Sequence, residues 1–352
     1  MDEASKDDGG MSRPILSVKG LKAYYQMNYF GITREVRAVD DVTLDIAENE
    51  VYGIAGESSS GKTSLIKVLA AAIRPPMRVV AGSAQYRFGD RTVDVTKAGD
   101  AEIRAIRWRH LSYIMQGSMS VLNPVRRIGR TFHDFAARPL GLSGAAFERR
   151  VVDHLARLRL DPAVLRAYPH ELSGGMRQRV TIGLATVCHP QFIIADEPTT
   201  ALDVVVQKQV LGMIRDIQRE MRASVVFVTH DMSVHANIAD RIGIVYAGRL
   251  VEEGPTREMF FAPRHPYTAH LVASLPRIGD TTQRPALEGR PPNLADPPAG
   301  CRFHPRCPLA IDKCKAEVPP LETVGPNHRA ACWRWQEVKP LIDHPGRAGA
   351  PA

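Results

Sequence analysis

Long hydrophobic runs are missing from this chain of 352 residues. No stretch approaches the ~18 apolar residues that a membrane helix requires. The longest candidates, such as "VLAAAI" and "SVVFV", are far shorter. Any membrane role must therefore come through a partner. The opening residues, "MDEASKDDGG", are polar and acidic and lack the apolar core of a signal peptide, so a cytosolic protein is expected. There is no basic patch interleaved with aromatics, and nucleic acid is not an expected partner. No internal repeat is detected. Cysteine is almost absent from the first 300 residues, where Cys188 stands alone, yet Cys301, Cys307, Cys314 and Cys332 crowd the last 52. In a reducing compartment these four are not expected to pair as disulfides.

The remaining composition is that of a folded soluble protein, with 44% hydrophobic and 24% charged residues. The length suits one large domain with an appendage, or two domains. A net charge of +8 fits general solubility, a phosphate ligand or a nearby anionic membrane face, and does not choose among them.

Residues 1–13 read as a disordered leader and 341–352 as a disordered tail. From Ile15 the pattern is strand, turn, strand, followed by a short buried strand from Val51 to Ala55. A helix is expected from about Lys62 to Ile73, ending before Pro75 and Pro76. "AGSAQYRFGDRTVDV" reads as a β hairpin turning at Gly89 and Asp90. Residues 118–186 are mainly helical in pattern, as in "FERRVVDHLARLRL". "QFIIAD" and "SVVFVTH" are apolar β-branched strands, each preceded by a helix, and this alternation implies an α/β fold with a parallel sheet buried on both faces. Composition changes after Gly254, where prolines cluster ("RPPNLADPPAG"). A core of 14–253 and a small, irregular cysteine-rich module over 254–340 are expected.

"GESSSGKT", from Gly56 to Thr63, matches G-x-x-x-x-G-K-[ST] between a strand and a helix. Backbone N–H groups of Gly56, Glu57, Ser58, Ser59, Ser60, Gly61, Lys62, Thr63 and Ser64 surround phosphate oxygens in such a loop, and the helix N-terminus adds partial positive charge. Lys62 reaches the β- and γ-phosphates, and the Thr63 hydroxyl is placed to ligate Mg²⁺. "FIIADEP" supplies the acids. Asp196 closes an apolar strand, where a carboxylate is expensive without a partner, and Mg²⁺ is the natural one. Glu197, one residue on, points elsewhere and can activate a water as general base.

"LSGGMRQR", from Leu172 to Arg179, placed between that loop and "IIADEP", resembles the signature of the ATP-binding subunits of ABC transporters. Gln116 in "YIMQGSMSVLNP" resembles the Q-loop glutamine, "ALD" at 201–203 the D-loop with Asp203, and His230 in "VFVTHD" the switch histidine. Tyr25 is the candidate to stack on adenine, with Tyr24 its rival. The resemblance implies a P-loop NTPase core of the ABC type, with a parallel sheet, an antiparallel β subdomain and a helical subdomain over about 118–186. It implies that two such domains close head to tail, so that Ser173, Gly174 and Gly175 of one chain contact ATP held by the other. Gln116 would ligate Mg²⁺ or the lytic water, and His230 would hold water and Glu197 in line. Two departures stand out: Ser59 occupies a position that is usually glycine in the close subfamily, and Gly117 one that is commonly acidic.

"FFAPRHPYTAHLVASLPR", "GCRFHPRCPLAIDKC" and "HRAACW" narrow the resemblance to the oligopeptide/dipeptide permease subgroup and extend it over about 14–335. Five, six and seventeen residues separate the successive tail cysteines. Structural zinc usually comes with pairs two to four residues apart, and no such pair exists here. Four thiolates in a small module suit a soft metal centre. The subgroup is associated with a [4Fe–4S] cluster, which Cys301, Cys307, Cys314 and Cys332 would hold. Zinc, with His304 or His328 as substitute ligands, is the alternative, and free thiols the third reading. Cys188 reads as a small buried apolar residue.

The function so implied is an ATPase driving an importer of peptides or related solutes, peripheral at the cytoplasmic face. Its partners would be two transmembrane permease subunits, an extracytoplasmic solute-binding protein and a second ATPase chain, related but not identical. The alternative is a soluble ABC ATPase of repair or translation. Those usually carry long coiled coils or a duplicated cassette, and neither is present here.

Overall fold

The computed structural model describes residues 14–29, 32–117, 121–200, 202–275 and 287–339. The expected leader and tail, and Ala201 of the "ALD" segment, lie outside the described residues. The chain runs β1 (Leu16–Tyr29), β2 (Ile32–Ile46), β3 (Val51–Ala55), α1 (Lys62–Leu69), β4 (Met77–Phe88), β5 (Arg91–Asp94), α2 (Asp100–Ile106) and β6 (Leu111–Ile114). Helices α3 (Ile128–Leu140), α4 (Gly144–Arg157) and α5 (Gly174–Thr186) follow, then β7 (Phe192–Asp196), α6 (Val204–Met221), β8 (Ser224–Val228) and α7 (Met232–Ile238). Strands β9 (Arg241–Tyr246) and β10 (Arg249–Pro255), helices α8 (Thr256–Phe261), α9 (Pro266–Ala273) and α10 (Asp312–Ala316), and strands β11 (Glu322–Gly325) and β12 (His328–Ala330) complete it.

Two sheets organise these elements. The first is antiparallel, in the order β2-β1-β4-β5, and contains the expected hairpin, with Phe88 opposite Arg91. The second has the order β11-β12-β10-β9-β3-β8-β7-β6. Within it β3 lies parallel to both β8 and β9, and β7 parallel to β8 and β6. Every residue of β3, β7 and β8 is buried, as a sheet covered on both faces requires. Alternate residues divide between two cores. Phe192 and Ile194 face the antiparallel sheet and α1, whereas Ile193 and Ala195 face α3 to α5.

Helix α1 is shorter than its pattern predicts. It ends at Leu69 because Ala71 turns into the left-handed region at φ +50, and the Ala72 amide then bonds back to the Lys67 carbonyl. The two prolines therefore come after a stop already made.

The segment beyond Gly254 continues the core sheet. Strand β10 spans that position, and β12 pairs with β10, placing Glu252 opposite Ala330. Buried Glu252 accepts from His328 Nε2 at 2.7 Å and from the Arg264 and His265 amides at 2.6 and 2.9 Å. Phe303 packs edge-on against Tyr246 and beside Tyr267, in a third core beneath β9.

Candidate active site

Parallel strands deliver their carboxyl ends to one edge of the sheet, where ligands of open α/β sheets bind. Strand β3 feeds the phosphate loop, β7 ends on Asp196, β8 leads to His230 and β6 to Gln116. Gly56 and Gly61 have φ +148 and +105, and a Cβ on either would sit 2.2 Å from the Val245 carbonyl oxygen or 2.1 Å from that of Ala38. Only glycine allows that approach. Ser59 stands at φ +64. This is the left-handed region, where a side chain costs about 1–2 kcal/mol, and it gives the physical reason glycine is the usual residue there.

Lys62 folds back over the loop. Its Nζ donates to the Gly56 and Glu57 carbonyls at 2.7 Å each and to Ser60 Oγ at 3.3 Å. Burial pulls its pKa down to about 8, opposed by Glu197, Asp196 and Glu57. Asp196 is 2% exposed. Burial pushes its carboxyl up to about 6, against the Tyr113 hydroxyl, which donates to it at 3.2 Å. A buried acid so poorly compensated, beside Thr63 and Gln116, is a set of hard oxygen donors that fits Mg²⁺.

Glu197 is the junction of the site. Its amide donates to the Val228 carbonyl at 2.8 Å, and its φ of +46 turns the side chain out of the strand line. His230 Nδ1 lies 3.0 Å from Oε1, and Thr200 Oγ1 donates to Oε2 at 2.7 Å. Gln116 Nε2 is 3.4 Å from Oε2. Burial alone would raise this carboxyl, but the bonds from His230 and Thr200 hold it below its ordinary value.

A cleft of about 310 Å³ gathers Tyr25, Ser58 to Ser64, Gln116, Asp196, Glu197 and His230. Tyr25 is the tyrosine in the cleft, its hydroxyl 3.2 Å from Ser64 Oγ. Tyr24 is buried, donates to Asp40 Oδ1 at 2.6 Å and is raised to about 12 by that burial. Gly56 and Glu57 are not among the cleft's lining residues. The Glu57 carboxylate is instead paired with Arg306. Ser173, Gly174, Gly175 and Asp203 share a separate cleft of about 400 Å³. There Ser173 and Asp203 cap α5 and α6 through the Met176 and Val206 amides.

Thr200 and Tyr113 were missed by sequence reasoning. Thr200 carried a readable signal, three residues after Glu197. Tyr113 carried none, because only the pairing of β6 with β7 sets it beside Asp196. Among the described residues, no group of three or more His, Cys, Asp or Glu is arranged to hold a metal ion. The expected cluster and the zinc alternative are thus not shown. All five cysteines are free thiols, and Cys188 is half-buried, with burial raising its thiol to about 11.

Residues 39–200 match the ABC transporter family, and residues 251–314 match the family of the oligopeptide/dipeptide transporter C-terminal region. A putative peptide import ATP-binding protein of Brucella ovis is 42% identical over 343 residues, covering 93% of this chain and 99% of that protein. The chain belongs to the ATP-binding subunits of ABC transporters, of the oligopeptide/dipeptide type. The dipeptide transport ATP-binding protein DppD of Caldanaerobacter subterraneus is 36% identical over 332 residues, covering 93% and 99%. A solved ATP-binding cassette, dimeric and bound to ADP and Pi after hydrolysis, aligns with a TM-score of 0.58 at 25% identity, over 69% of this chain and 99% of its own. This ABC ATPase therefore contains a whole cassette plus a segment that its peptide-import relatives share. Among its described residues no helix is long and apolar enough to cross a membrane.

Proposed function

We propose that this ABC ATPase binds Mg-ATP in the P-loop cleft, hydrolyses it with Glu197 as general base, and thereby powers peptide import. The observation that carries the reading is the convergence of His230, Thr200 and Gln116 on Glu197 in the cleft that also holds Lys62 and Asp196. An ionised Glu197 takes the proton of the attacking water. His230 orients Glu197 and reaches toward the γ-phosphate. Lys62 exchanges its loop carbonyls for β- and γ-phosphate oxygens, and Tyr25 stacks on adenine. Thr63, Gln116 and Asp196 would hold Mg²⁺, which neutralises phosphate charge when bound.

The separate cleft of Ser173, Gly174, Gly175 and Asp203 favours a head-to-tail arrangement in which these residues complete the site of a second ATPase chain. The pair would act at the cytoplasmic face on two transmembrane permease subunits supplied by an extracytoplasmic solute-binding protein. Peptide as the cargo follows the names of the relatives. The test is steady-state ATP turnover of Glu197→Gln, expected to fall by about 10²–10⁴ with nucleotide binding retained. Unchanged turnover would overturn the mechanism.

The four tail thiols, in this reading, hold a [4Fe–4S] cluster. Burial raises Cys301, Cys307 and Cys332, and each is raised further by neighbouring tail sulfurs, Cys314 among them. Backbone N–H groups of Phe303 and His304 point at the Cys301 sulfur, that of Leu309 at Cys307 and that of Arg334 at Cys332. Such donors favour thiolate, and a bound cluster supplies a cross-link for a segment with little core. Iron and sulfide in equal amounts in anaerobically purified protein are expected. Zinc without iron would replace the cluster, and neither metal would leave free thiols.

A further inference from the structure

The segment after the cassette meets the nucleotide cleft at one point and the P-loop behind its lining at another. Leu294 lines the cleft together with Tyr25, Val36 and Ala38, the apolar share of a lining that is otherwise mostly the polar P-loop and its acids. The Leu294 carbonyl accepts from the Arg37 amide at 2.9 Å, pinning the segment to β2. The second point is Glu57, inside the P-loop. Arg306 grips its carboxylate with two nitrogens, at 2.9 and 3.1 Å. The Glu57 amide donates to the Tyr267 hydroxyl at 2.8 Å. Arg306 is itself fixed by the Glu288 carbonyl at 3.0 Å and the Tyr246 hydroxyl at 3.3 Å, and its side chain is only 6% exposed.

We propose that the C-terminal segment is part of the nucleotide site, with Leu294 a wall against the nucleoside and Arg306 a positioning residue that fixes the P-loop through Glu57. This rests on the assignment of the cleft to ATP. Phosphates held by the P-loop leave the nucleoside to the apolar share of the lining, to which Leu294 belongs. The Glu57 amide is spent on Tyr267, and a loop whose other N–H groups aim at phosphate depends on each anchor that stops it swinging. Arg306 also adjoins Cys307, so whatever the thiols bind is one residue from that anchor. Coupling of this kind is reciprocal: if the segment supports nucleotide binding, nucleotide must stabilise the segment.

The two contacts have different signatures. Inhibition constants of ADP and inorganic pyrophosphate would be measured on the full chain by displacement of a fluorescent ADP. Leu294→Ala is expected to weaken ADP about fivefold to tenfold, the loss of one side chain's apolar contact, and to leave pyrophosphate unchanged. Arg306→Lys keeps the charge but not the two-pronged grip, and should weaken both ligands by a similar factor. On the unsubstituted chain, ADP should slow amide exchange across 287–307, which keeps the idea testable if Arg306→Lys fails to fold. Equal ADP affinity in Leu294→Ala, or equal loss for both ligands, removes the wall. Unchanged binding in Arg306→Lys, or exchange indifferent to ADP, removes the brace. Lys62→Ala separates this failure from that of the site: retained ADP binding there would sink the cleft assignment itself.

Discussion

The nucleotide cleft and the thiol module solve opposite electrostatic problems. At the nucleotide site a buried cation, Lys62, feels Glu197, Asp196 and Glu57, so charges of both signs meet there and Asp196 is the acid left least compensated. In the module burial raises Cys301, Cys307 and Cys332, and neighbouring sulfurs push each of them the same way. Cys307 is pushed to about 11 and Cys332 to about 12. Arg334, half-buried and tied to Glu337, and Arg249 offer positive charge near Cys307 and Cys301. A site of mixed charge keeps its groups ionised against burial, whereas thiols buried together favour the protonated form.

Lys62→Ala gives the largest expected effect. ATP turnover should fall about 10³-fold or more, while iron content stays at the unsubstituted level. A parallel loss of iron would mean the two regions are one unit. Cys307→Ser should do the converse, abolishing iron binding and slowing ATP turnover less than about tenfold, read by metal analysis and a coupled assay on the same preparation.

A stability test falls between the regions. Arg302 joins the module to Asp40, a buried acid that also serves Tyr24 and Arg249. Arg302→Leu removes one partner of a buried pair and should cost about 3 kcal/mol in denaturant unfolding. An unchanged midpoint would show the module to be loosely attached.

Acid supplies a gentler probe. Burial holds His154, His235 and His265 neutral, at about 3, 4 and 3 against an ordinary 6.5. The unfolded chain takes up these protons near 6.5, so stability rises with pH between about 4 and 6.5 and is lost as acid is added. His265 lies at the module's border and accepts from the Tyr267 amide through Nδ1. His265→Asn retains a capping acceptor and should reduce the slope by one proton. The smallest change is Ser59→Gly, which relieves the φ of +64 and should stabilise the chain by less than about 1 kcal/mol.

The parts of the site legible beforehand were those written in unbroken strings. "GESSSGKT" and "FIIADEP" each place several functional atoms within one loop, so spacing fixes chemistry before any packing is known. The sheet was legible for a related reason, since β3, β7 and β8 are apolar but for Asp196 and Ser224 at their ends, the pattern of a strand covered on both faces. Tyr25 was preferred over Tyr24 beforehand, but spacing alone gave no physical reason for the preference. Adjacent strand residues point to opposite faces, and the face toward the cleft depends on which strands flank β1.

The sequence by itself determined the phosphate loop, its acids, the signature and their order, because local motifs encode their own geometry. Only the tertiary structure decided that Arg306 would grip a P-loop carboxylate 249 residues away, and that Leu294 would share a cleft with Tyr25. Those contacts depend on β12 joining the edge of β10 and on Phe303 entering the core beneath β9. Edge pairing and core packing join residues by position in the folded sheet, and no spacing along the chain records them.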